Sequence, residues 1–243
     1  MERPFAQVDV FTTGPGLGNP AAAGADYRVR IFTPDAELPF AGHPTLGTCH
    51  AWLEAGGLPR DPDRVVQECG AGLVAIRRTD EELAFAAPPL LRSGPVAEED
   101  VAAIAASLGI RRDAIVDAAW ADNGPGWVAI LLASAAEVLA VRPGAVPFDI
   151  GIVGPYPAGS PAAIEIRAVY PQHGLTVEDP VTGSLNASVA GWLLGTGRLT
   201  PPYVASQGTA LGRAGRVAIS QDADGTIWTG GRSVSVIRGV VDL

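Results

Sequence analysis

The feature that most constrains the fold of this chain is a short segment that occurs twice. Residues 37–45 and residues 178–184 each combine an acid, a proline-set turn and a glycine that opens an apolar run. An alternating, strand-like run precedes each copy, at residues 28–32 and 165–170. The matched residues lie 137 or 141 positions apart: Arg30 and Arg167, Pro34 and Pro171, Pro39 and Pro180, Gly42 and Gly183.

The repeat extends beyond the motif, because a second strand-like run follows each predicted helix and ends at a glycine. These glycines are Gly70 and Gly208, 138 positions apart. Since the separations differ only by loop-sized insertions, we interpret the chain as one structural unit used twice. Two copies are too few for a solenoid. They favour two pseudo-symmetric domains whose helix starts face one cleft.

Most of the remaining chain has strand-like patterns. Apolar periodicity predicts helices at residues 46–55, 95–108 and 134–140, and a fourth after Ser184. The stretch 142–161 is rich in glycine and proline, so we interpret it as a connection between domains.

Composition and charge exclude several classes of partner. The net charge of −9 and the isoelectric point near 4.8 argue against nucleic acid and anionic membranes. No apolar run reaches the roughly 18 residues of a membrane span, and residues 1–9 lack the apolar core of a signal peptide. Because Cys49 and Cys69 are the only cysteines, there is no disulfide framework, and we expect a cytoplasmic protein.

The absence of lysine narrows the possible chemistry. All 17 basic residues are arginine, which excludes a lysine Schiff base to pyridoxal phosphate or to an aldolase substrate. The glycines at 14–18 resemble a nucleotide fingerprint only superficially, because Pro15 and Pro20 interrupt it. The three histidines lack metal-ligand spacing. We therefore expect neither a cofactor nor a metal.

The second copy of the motif has the elements of an anion-binding site. An acid, Asp179, precedes a proline turn, and three small residues open the helix: Thr182, Gly183 and Ser184. The first N–H groups of a helix have no partner inside it and carry partial positive charge, so they suit a carboxylate. The simpler alternative is an ordinary capped helix.

Of the candidate residues in the first copy, the histidine at the turn is the most informative. His43 lies between Gly42 and Pro44, where a core histidine has little reason to pack, so we interpret it as functional. His50 lies two helical turns further on and is interpreted as packed or exposed. Cys49 is interpreted as a small core residue and not as a nucleophile.

At these residues the chain resembles the PhzF-like family, the relatives of the phenazine-biosynthesis isomerase. The longest match is Phe-Thr-Pro-x-x-Glu-Leu-Pro-Phe-Ala-Gly-His-Pro-Thr-Leu-Gly at 32–47, and the other hallmark is Glu-Asp-Pro-Val-Thr-Gly-Ser at 178–184. Asp-Val-Phe-Thr at 9–12 and Gly-Asn-Pro at 18–20 also fit. The resemblance covers nearly the whole chain and implies an α+β, diaminopimelate-epimerase-like fold. In that fold two pseudo-symmetric β-barrel domains each surround a central helix.

The resemblance also implies the domain limits and one departure from the family. The expected N-terminal domain is 1–88, truncated and completed by C-terminal strands, and the C-terminal domain is 89–243. Family members have a further helix and strand after the Gly-Asn-Pro turn, and that strand carries a glutamate credited with proton transfer. Here Asp26 is the only acid between Asn19 and Arg28. It either replaces the glutamate or starts the next strand.

Matching to the family motifs gives a set of expected site residues. The expected catalytic residues are His43 and Asp179. The expected substrate-binding residues are Asn19, Gly42, Thr182, Gly183 and Ser184.

The resemblance implies a cofactor-independent isomerase that shifts a proton and a double bond in a small unsaturated amino or imino carboxylic acid, with His43 and Asp179 as acid and base. We expect the substrate to belong to secondary-metabolite or antibiotic biosynthesis. One alternative is an inactive relative that binds a small acid or a protein partner. Another is a lyase or hydrolase in which His43 activates water. A truncated domain would leave an apolar edge exposed, and we expect a homodimer or a neighbouring loop to cover it.

Overall fold

The computed structural model of the protein describes residues 2–8, 24–32, 36–79 and 81–242. The chain forms two compact units. Unit 1 comprises Met1–Ala86 and Gly230–Leu243, and unit 2 comprises Ala87–Thr229. The change of unit after Ala86 lies near the 88/89 limit given above, and the last segment of the chain, from Gly230, groups with unit 1.

Unit 1 is built from short strands and one long helix. The strands order as β2-β5-β6-β7 in its main sheet, and β3 pairs with β4 in a separate hairpin. The elements before residue 87 are β1 (Glu2–Val8), β2 (Tyr27–Arg28), β3 (Ile31–Phe32), β4 (Glu37–Leu38), α1 (Gly42–Glu54), β5 (Arg64–Cys69), β6 (Gly72–Arg78) and β7 (Leu83–Ala86).

Unit 2 is dominated by one sheet with the order β16-β15-β14-β12-β11-β10-β9-β8, and β13 pairs with β12 beside this path. Its elements are β8 (Arg92–Pro95), α2 (Glu98–Ser107), β9 (Asp117–Asp122), β10 (Val128–Leu131), α3 (Ala135–Ala140), β11 (Ile150–Pro155), β12 (Ile164–Gln172), β13 (Leu175–Asp179), α4 (Gly183–Gly195), β14 (Tyr203–Gln207), β15 (Gly215–Gln221) and β16 (Ile227–Gly231). The last strand, β17 (Ser235–Asp242), pairs antiparallel with β1 in unit 1.

The two faces of the unit 2 sheet pack against different helices. Because successive strand residues point to opposite faces, Ile166 and Ala168 of β12 lie on one face with Leu185 of α4. Ile152 of β11 lies on the other face with Ile104 of α2. We call the first face the α4 face. Eight of the 13 residues of α4 are buried, so this helix is the centre of its core.

The stretch 142–161 was expected to be a connection between domains, and this expectation is wrong. It contains β11, in the middle of the unit 2 sheet. The glycines that suggested a loop are there because helices approach the strand closely. A Cβ atom on Gly151 would lie 2.5 Å from Leu185 Cδ1 of α4. Glycine is therefore required by packing at this position and not by a turn.

Three further predictions of secondary structure need correction. The first motif helix begins at Gly42 and not at residue 46, because Pro44 lies in the first turn, where a missing N–H breaks no helical hydrogen bond. The helix expected from residue 95 begins at Glu98, since residues 92–95 form β8. The strand expected at 28–32 is split into β2 and β3.

The two copies of the motif make the same ion pair, each within its own unit. Arg30 binds Glu37 through two hydrogen bonds of 2.9 and 2.7 Å, and Arg167 binds Glu178 through two of the same lengths. The first pair is exposed and the second is buried. Fixing the glutamate in this way anchors the strand that leads into each motif turn.

The two copies also share a close backbone approach. A Cβ atom on Gly70 would lie 2.8 Å from Pro39 Cα, and one on Gly208 would lie 2.6 Å from the carbonyl oxygen of Pro180. In each unit the strand after the helix therefore returns to the motif proline, and only glycine fits there. The internal repeat of the sequence corresponds to a repeated set of contacts.

Candidate functional site

The acidic pair at the end of β13 is divided between the two faces of the sheet. Consecutive strand residues point in opposite directions, so Glu178 and Asp179 cannot share a site. Glu178 binds the buried side chain of Arg167, which also donates to the carbonyl oxygens of Val138 and Val141. Glu178 therefore has a structural role. Asp179 lies on the α4 face, opposite Ala168, and is half-buried.

A buried chain of hydrogen bonds fixes the Asp179 carboxylate. The Thr182 hydroxyl donates to Asp179 Oδ2 at 2.7 Å and accepts from Gln207 Nε2 at 3.0 Å. Gln207 Nε2 also donates to the Asp179 carbonyl oxygen at 3.1 Å. Gln207 Oε1 accepts from the Thr182 N–H at 3.0 Å and from Asn186 Nδ2 at 2.7 Å.

These contacts determine in which direction each hydrogen bond is donated. The Gln207 amide cannot be reversed, because its NH₂ group would then face two donors, Thr182 N–H and Asn186 Nδ2. The Thr182 hydroxyl accepts from Gln207, so its own proton is directed to Asp179. Gln207 is fully buried, and Thr182 and Asn186 are nearly so. The protein thus holds the Asp179 carboxylate as a hydrogen-bond acceptor at one fixed position.

The start of α4 lacks a side-chain cap, because the Thr182 hydroxyl is bound to Asp179 and not to the helix. The first N–H groups, from Gly183 onwards, are therefore left for water or a ligand. The Ser184 hydroxyl accepts from Trp127 Nε1 at 3.2 Å, which leaves its own proton for another acceptor. Asn123 Nδ2 donates to the Ser184 carbonyl oxygen at 2.9 Å and holds this turn.

Three side chains that the sequence did not indicate lie on the same face as Asp179. The registers of β10, β11 and β12 place Trp127, Asp149 and Tyr170 side by side, because the N–H of Val128 bonds the Asp149 carbonyl and extends the ladder by one residue. Tyr170 is a diagonal neighbour of Asp179 across β12 and β13. We call Trp127, Asp149, Tyr170 and Asp179 the strand-end row.

Within the strand-end row, Asp149 has an unusual electrostatic environment. The Trp127 and Tyr170 rings meet edge to face with centroids 6.5 Å apart, although β11 separates their strands. Burial raises the pKa of Asp149 to about 6, and the negative charge of Asp122 contributes to the rise. Burial, followed by the charges of Asp179 and Asp149, also raises the pKa of Tyr170. The row is thus a half-buried, acidic and aromatic surface.

In unit 1 the corresponding helix start is also uncapped. Ala41 is the N-cap of α1 and makes no side-chain hydrogen bond to the helix, so the N–H groups from Gly42 onwards resemble those of α4. His43 lies in this first turn and is half-buried. Below it, Gln67 Nε2 donates to Thr45 Oγ1 at 3.1 Å, and this pair supports the turn from the core.

Two other residues of α1 have structural surroundings. Cys49 is fully buried, and burial raises the pKa of its thiol to about 12, so it is unsuited to act as a nucleophile. His50 Nε2 lies 3.2 Å from Ser235 Oγ and 3.4 Å from Glu54 Oε1. Both agree with the interpretations made from the sequence.

Asp26 does not take the place of a catalytic glutamate. Its side chain is 3% exposed, and both oxygens accept backbone hydrogen bonds, from Arg60 N at 3.1 Å and Val66 N at 2.7 Å. Asp26 therefore joins two segments of unit 1, as expected if it starts the next strand. Asn19, the remaining expected binding residue, lies outside the described residues.

In the part of the chain that the structure describes, no group of three or more metal-ligating His, Cys, Asp or Glu side chains is found. Within the same residues, no helix is long and apolar enough to span a membrane.

The fold defines the class of protein, a mixed α/β protein with a large sheet and few helices. The crystal structure of a PhzF-family phenazine biosynthesis protein from Bacillus anthracis superposes with a TM-score of 0.73 at 20% identity, over 92% of this chain and 83% of that chain. The expected α+β, epimerase-like fold is confirmed.

The particular family follows from the sequence comparison. The Phenazine biosynthesis-like protein family (PhzC-PhzF) matches residues 22–239, and the chain belongs to this family. It is 32% identical to trans-2,3-dihydro-3-hydroxyanthranilate isomerase of Pseudomonas aeruginosa, over 68% of this chain and 59% of that protein. It is 29% identical to Antisense-enhancing sequence 1 of Schizosaccharomyces pombe, over 98% of both chains.

The second of these alignments also bears on the length of the chain. It extends over 294 positions, whereas the chain has 243 residues, so at least 51 positions of the alignment have no residue here.

Proposed function

We propose that the protein is a cofactor-independent isomerase that moves a proton, and with it a double bond, in a small unsaturated amino or imino carboxylic acid. Secondary-metabolite biosynthesis is the setting that we propose for it. Membership of a family that includes named isomerases supports the reaction class. The particular substrate is chosen by the site and not by the fold.

The observation that carries the proposal is the directed hydrogen-bond chain that ends at Asp179. The Thr182 hydroxyl donates to this carboxylate, so Asp179 is held as a hydrogen-bond acceptor in one position beside the uncapped start of α4. A general base must be positioned within hydrogen-bond reach of the proton that it removes. Holding the carboxylate by a buried chain meets that requirement without blocking its second oxygen.

The helix start supplies the second requirement, which is a site for the carboxylate of the substrate. We assign the N–H groups from Gly183, the Ser184 hydroxyl and the corresponding Gly42 turn to this binding, together with Asn19. Removing a proton beside a carboxylate places negative charge on its oxygens, and helix-start N–H groups stabilise such charge. Thr182 acts indirectly, by fixing Asp179.

We assign the second proton transfer to His43, since the imidazole can act as acid or base near neutral pH. The proton leaves one carbon to Asp179, the C–H electron pair forms the new double bond, and the electron pair of the old double bond takes a proton at the far carbon from His43. The substrate keeps its composition. The proposal requires both side chains to contact one substrate, which a crystal structure with a bound carboxylate analogue would test.

The decisive experiment is solvent exchange in D₂O. We would begin with trans-2,3-dihydro-3-hydroxyanthranilate, the substrate in the name of one relative, and continue with other unsaturated amino and imino acids. The expected result is deuterium at a substrate carbon. Asp179→Asn should lower the rate by about 10²-fold or more, because the amide has similar size but exchanges no proton. His43→Ala should also lose activity.

The matched control is Asp113→Asn, which makes the same chemical change at an exposed carboxylate paired with Arg111. It should exchange deuterium at the wild-type rate. Full turnover by Asp179→Asn on the true substrate would contradict the assigned role.

One observation favours a second candidate, a relative that binds a small acid without turning it over. The name of the Schizosaccharomyces pombe relative, which matches over 98% of both chains, describes no reaction. The same experiment separates the two candidates, because a binder would show saturable binding of small carboxylates without deuterium exchange.

We also propose that the protein is a homodimer. Unit 1 exposes several large apolar side chains on β17, and these suit an interface: Val236, Ile237 and Val240. Sedimentation or light scattering at micromolar concentration tests this, and a stable monomer would contradict it.

A further inference from the structure

The Asp149 carboxylate in the strand-end row differs from its acidic neighbours in what it binds. Asp179 accepts from the Thr182 hydroxyl. Asp122 accepts from the N–H groups of Gly124 and Gly126, both at 2.7 Å. Among the residues that the structure describes, none donates a hydrogen bond to the Asp149 carboxylate or forms an ion pair with it. Within this part of the chain, the half-buried oxygen atoms of Asp149 are therefore open to a donor from water or from a ligand.

We propose that Asp149 determines substrate specificity by accepting a hydrogen bond from the amino or imino N–H of the substrate, while Asp179 acts on a nearby carbon. This inference rests on the proposed function and specifies which part of the substrate the row recognises. The substrate class that fits is a planar, unsaturated carboxylic acid with an N–H group, and not a carboxylic acid without nitrogen.

The spacing of the row suits one small molecule. Asp149 lies opposite Tyr170 of β12 and Asp179 lies opposite Ala168, so their backbones are separated by roughly 10 Å across the sheet and roughly 7 Å along it, about 12 Å in all. Both side chains are on the α4 face, and Trp127 of the same row donates a hydrogen bond to Ser184 at the start of α4. A ring acid whose carboxylate lies at the helix start could therefore present an N–H to Asp149 and a C–H to Asp179.

The aromatic members of the row favour a flat ligand. Trp127 is buried and is held by its hydrogen bond to Ser184, while Tyr170 remains half-buried and contacts it edge to face. Such rings provide a rigid apolar wall for an unsaturated ring.

Other unsatisfied atoms near this helix start are also acceptors. Asn123 Oδ1 and Asn186 Oδ1 are buried, and within the described chain neither has a hydrogen-bond partner. The helix-start N–H groups recognise the acidic end of a substrate. The strand-end row, which offers acceptors, is complementary to its N–H end.

The test uses two probes that differ by one amino group, anthranilate and benzoate. Isothermal titration at pH 7.5 measures both dissociation constants for the wild-type protein, for Asp149→Ala and Asp149→Asn, and for the exposed control Asp113→Asn. The wild-type protein and the control should bind anthranilate about 10-fold more tightly than benzoate, the size expected for one hydrogen bond to a charged group. Both Asp149 variants should reduce this ratio below about 2-fold, because loss of the negative charge affects the binding of both anionic probes alike, whereas loss of the acceptor affects only anthranilate.

A preference for anthranilate that survives in both Asp149 variants would overturn the inference, as would equal binding of the two probes by the wild-type protein. Reduced turnover with an unchanged preference would instead make Asp149 an acid catalyst and would also overturn it. Should both variants fail to melt cooperatively, a crystal structure of the wild-type protein with anthranilate decides. Its nitrogen must lie within hydrogen-bond distance of Asp149.

The two proposals can fail separately. Deuterium exchange that depends on Asp179, with a probe preference that does not depend on Asp149, removes only the specificity role. A preference that depends on Asp149, without any exchange on a substrate, removes only the isomerase reaction.

Discussion

Thr182→Val is the change that most directly tests whether the buried chain of hydrogen bonds positions the Asp179 carboxylate. Valine has nearly the shape of threonine, so the change removes the hydroxyl and leaves the packing in place. Two hydrogen bonds are lost, one to the Asp179 carboxylate at 2.7 Å and one from Gln207 at 3.0 Å. A hydrogen bond to a charged group contributes about 1.5–3 kcal/mol and a neutral one about 0.5–1.5 kcal/mol. Gln207 keeps its bond to the Asp179 carbonyl, so the free energy of unfolding should fall by about 2–4 kcal/mol.

The same change should lower kcat by about 10–100-fold, because the carboxylate is no longer held in one position. Thr182→Ser keeps the hydroxyl and should retain both stability and activity within a few-fold. Urea unfolding measures the first quantity, and deuterium exchange under saturating substrate measures the second. A Thr182→Val protein that is destabilised but turns over within two-fold of the wild type would refute the reasoning. The hydrogen bonds of Thr182 would then stabilise the turn before α4 without positioning Asp179 for proton transfer.

Further variants separate binding, structure and ionisation. Ser184→Ala should raise KM about 10-fold with little change in kcat, since it removes one donor to the substrate carboxylate. Asp26→Ala should lower the midpoint of urea unfolding by removing two backbone hydrogen bonds, whereas activity per folded molecule should remain. Cys49→Ala and His50→Ala should fold and turn over nearly normally. Asp149→Asn should be more stable than the wild type above pH 6 and equal to it near pH 4. The wild-type carboxyl, with its pKa raised to about 6, loses stability as pH rises from its unfolded pKa through 6. After allowance for partial exposure the gain should be about 1 kcal/mol, measured by urea unfolding at pH 4 and pH 8.

The elements that the sequence predicted well are those whose ends are marked by particular residues. Gly183 opens α4, and the apolar run after it is helical as expected. The strand expected to end at Gly208 is β14, which spans Tyr203–Gln207. Glycine and proline mark such ends because they restrict backbone conformation locally, so no distant contact is needed to predict them.

The site residues and the strand that the sequence did not predict depend on contacts between segments that are distant along the chain. Asp149 and Tyr170 carry no motif, and they become neighbours only because β11 and β12 pair in one register. A shift of one residue would turn each side chain to the opposite face. Residues 150–155 were taken for a loop because of their glycines, which in fact admit α4 and α3 to the two faces of β11. Periodicity along the chain contains no information on either contact.

The two copies of the repeat differ at the positions that carry the proposed catalytic groups. This difference explains why one unit would contribute a carboxylate and the other an imidazole. With the 141-residue offset, the position of Asp179 in the second copy is Leu38 in the first, and the position of Ser184 is His43. Both helix starts are uncapped, and both keep the Arg–Glu pair that anchors the preceding strand. The shared framework thus provides two sites for negative charge, while the divergent positions leave one carboxylate on one copy and one imidazole on the other. A symmetrical pair of carboxylates would repel each other as both ionise near neutral pH. An acid and an imidazole can instead hold different protonation states at the same pH, which a proton shift between two carbons of one substrate requires.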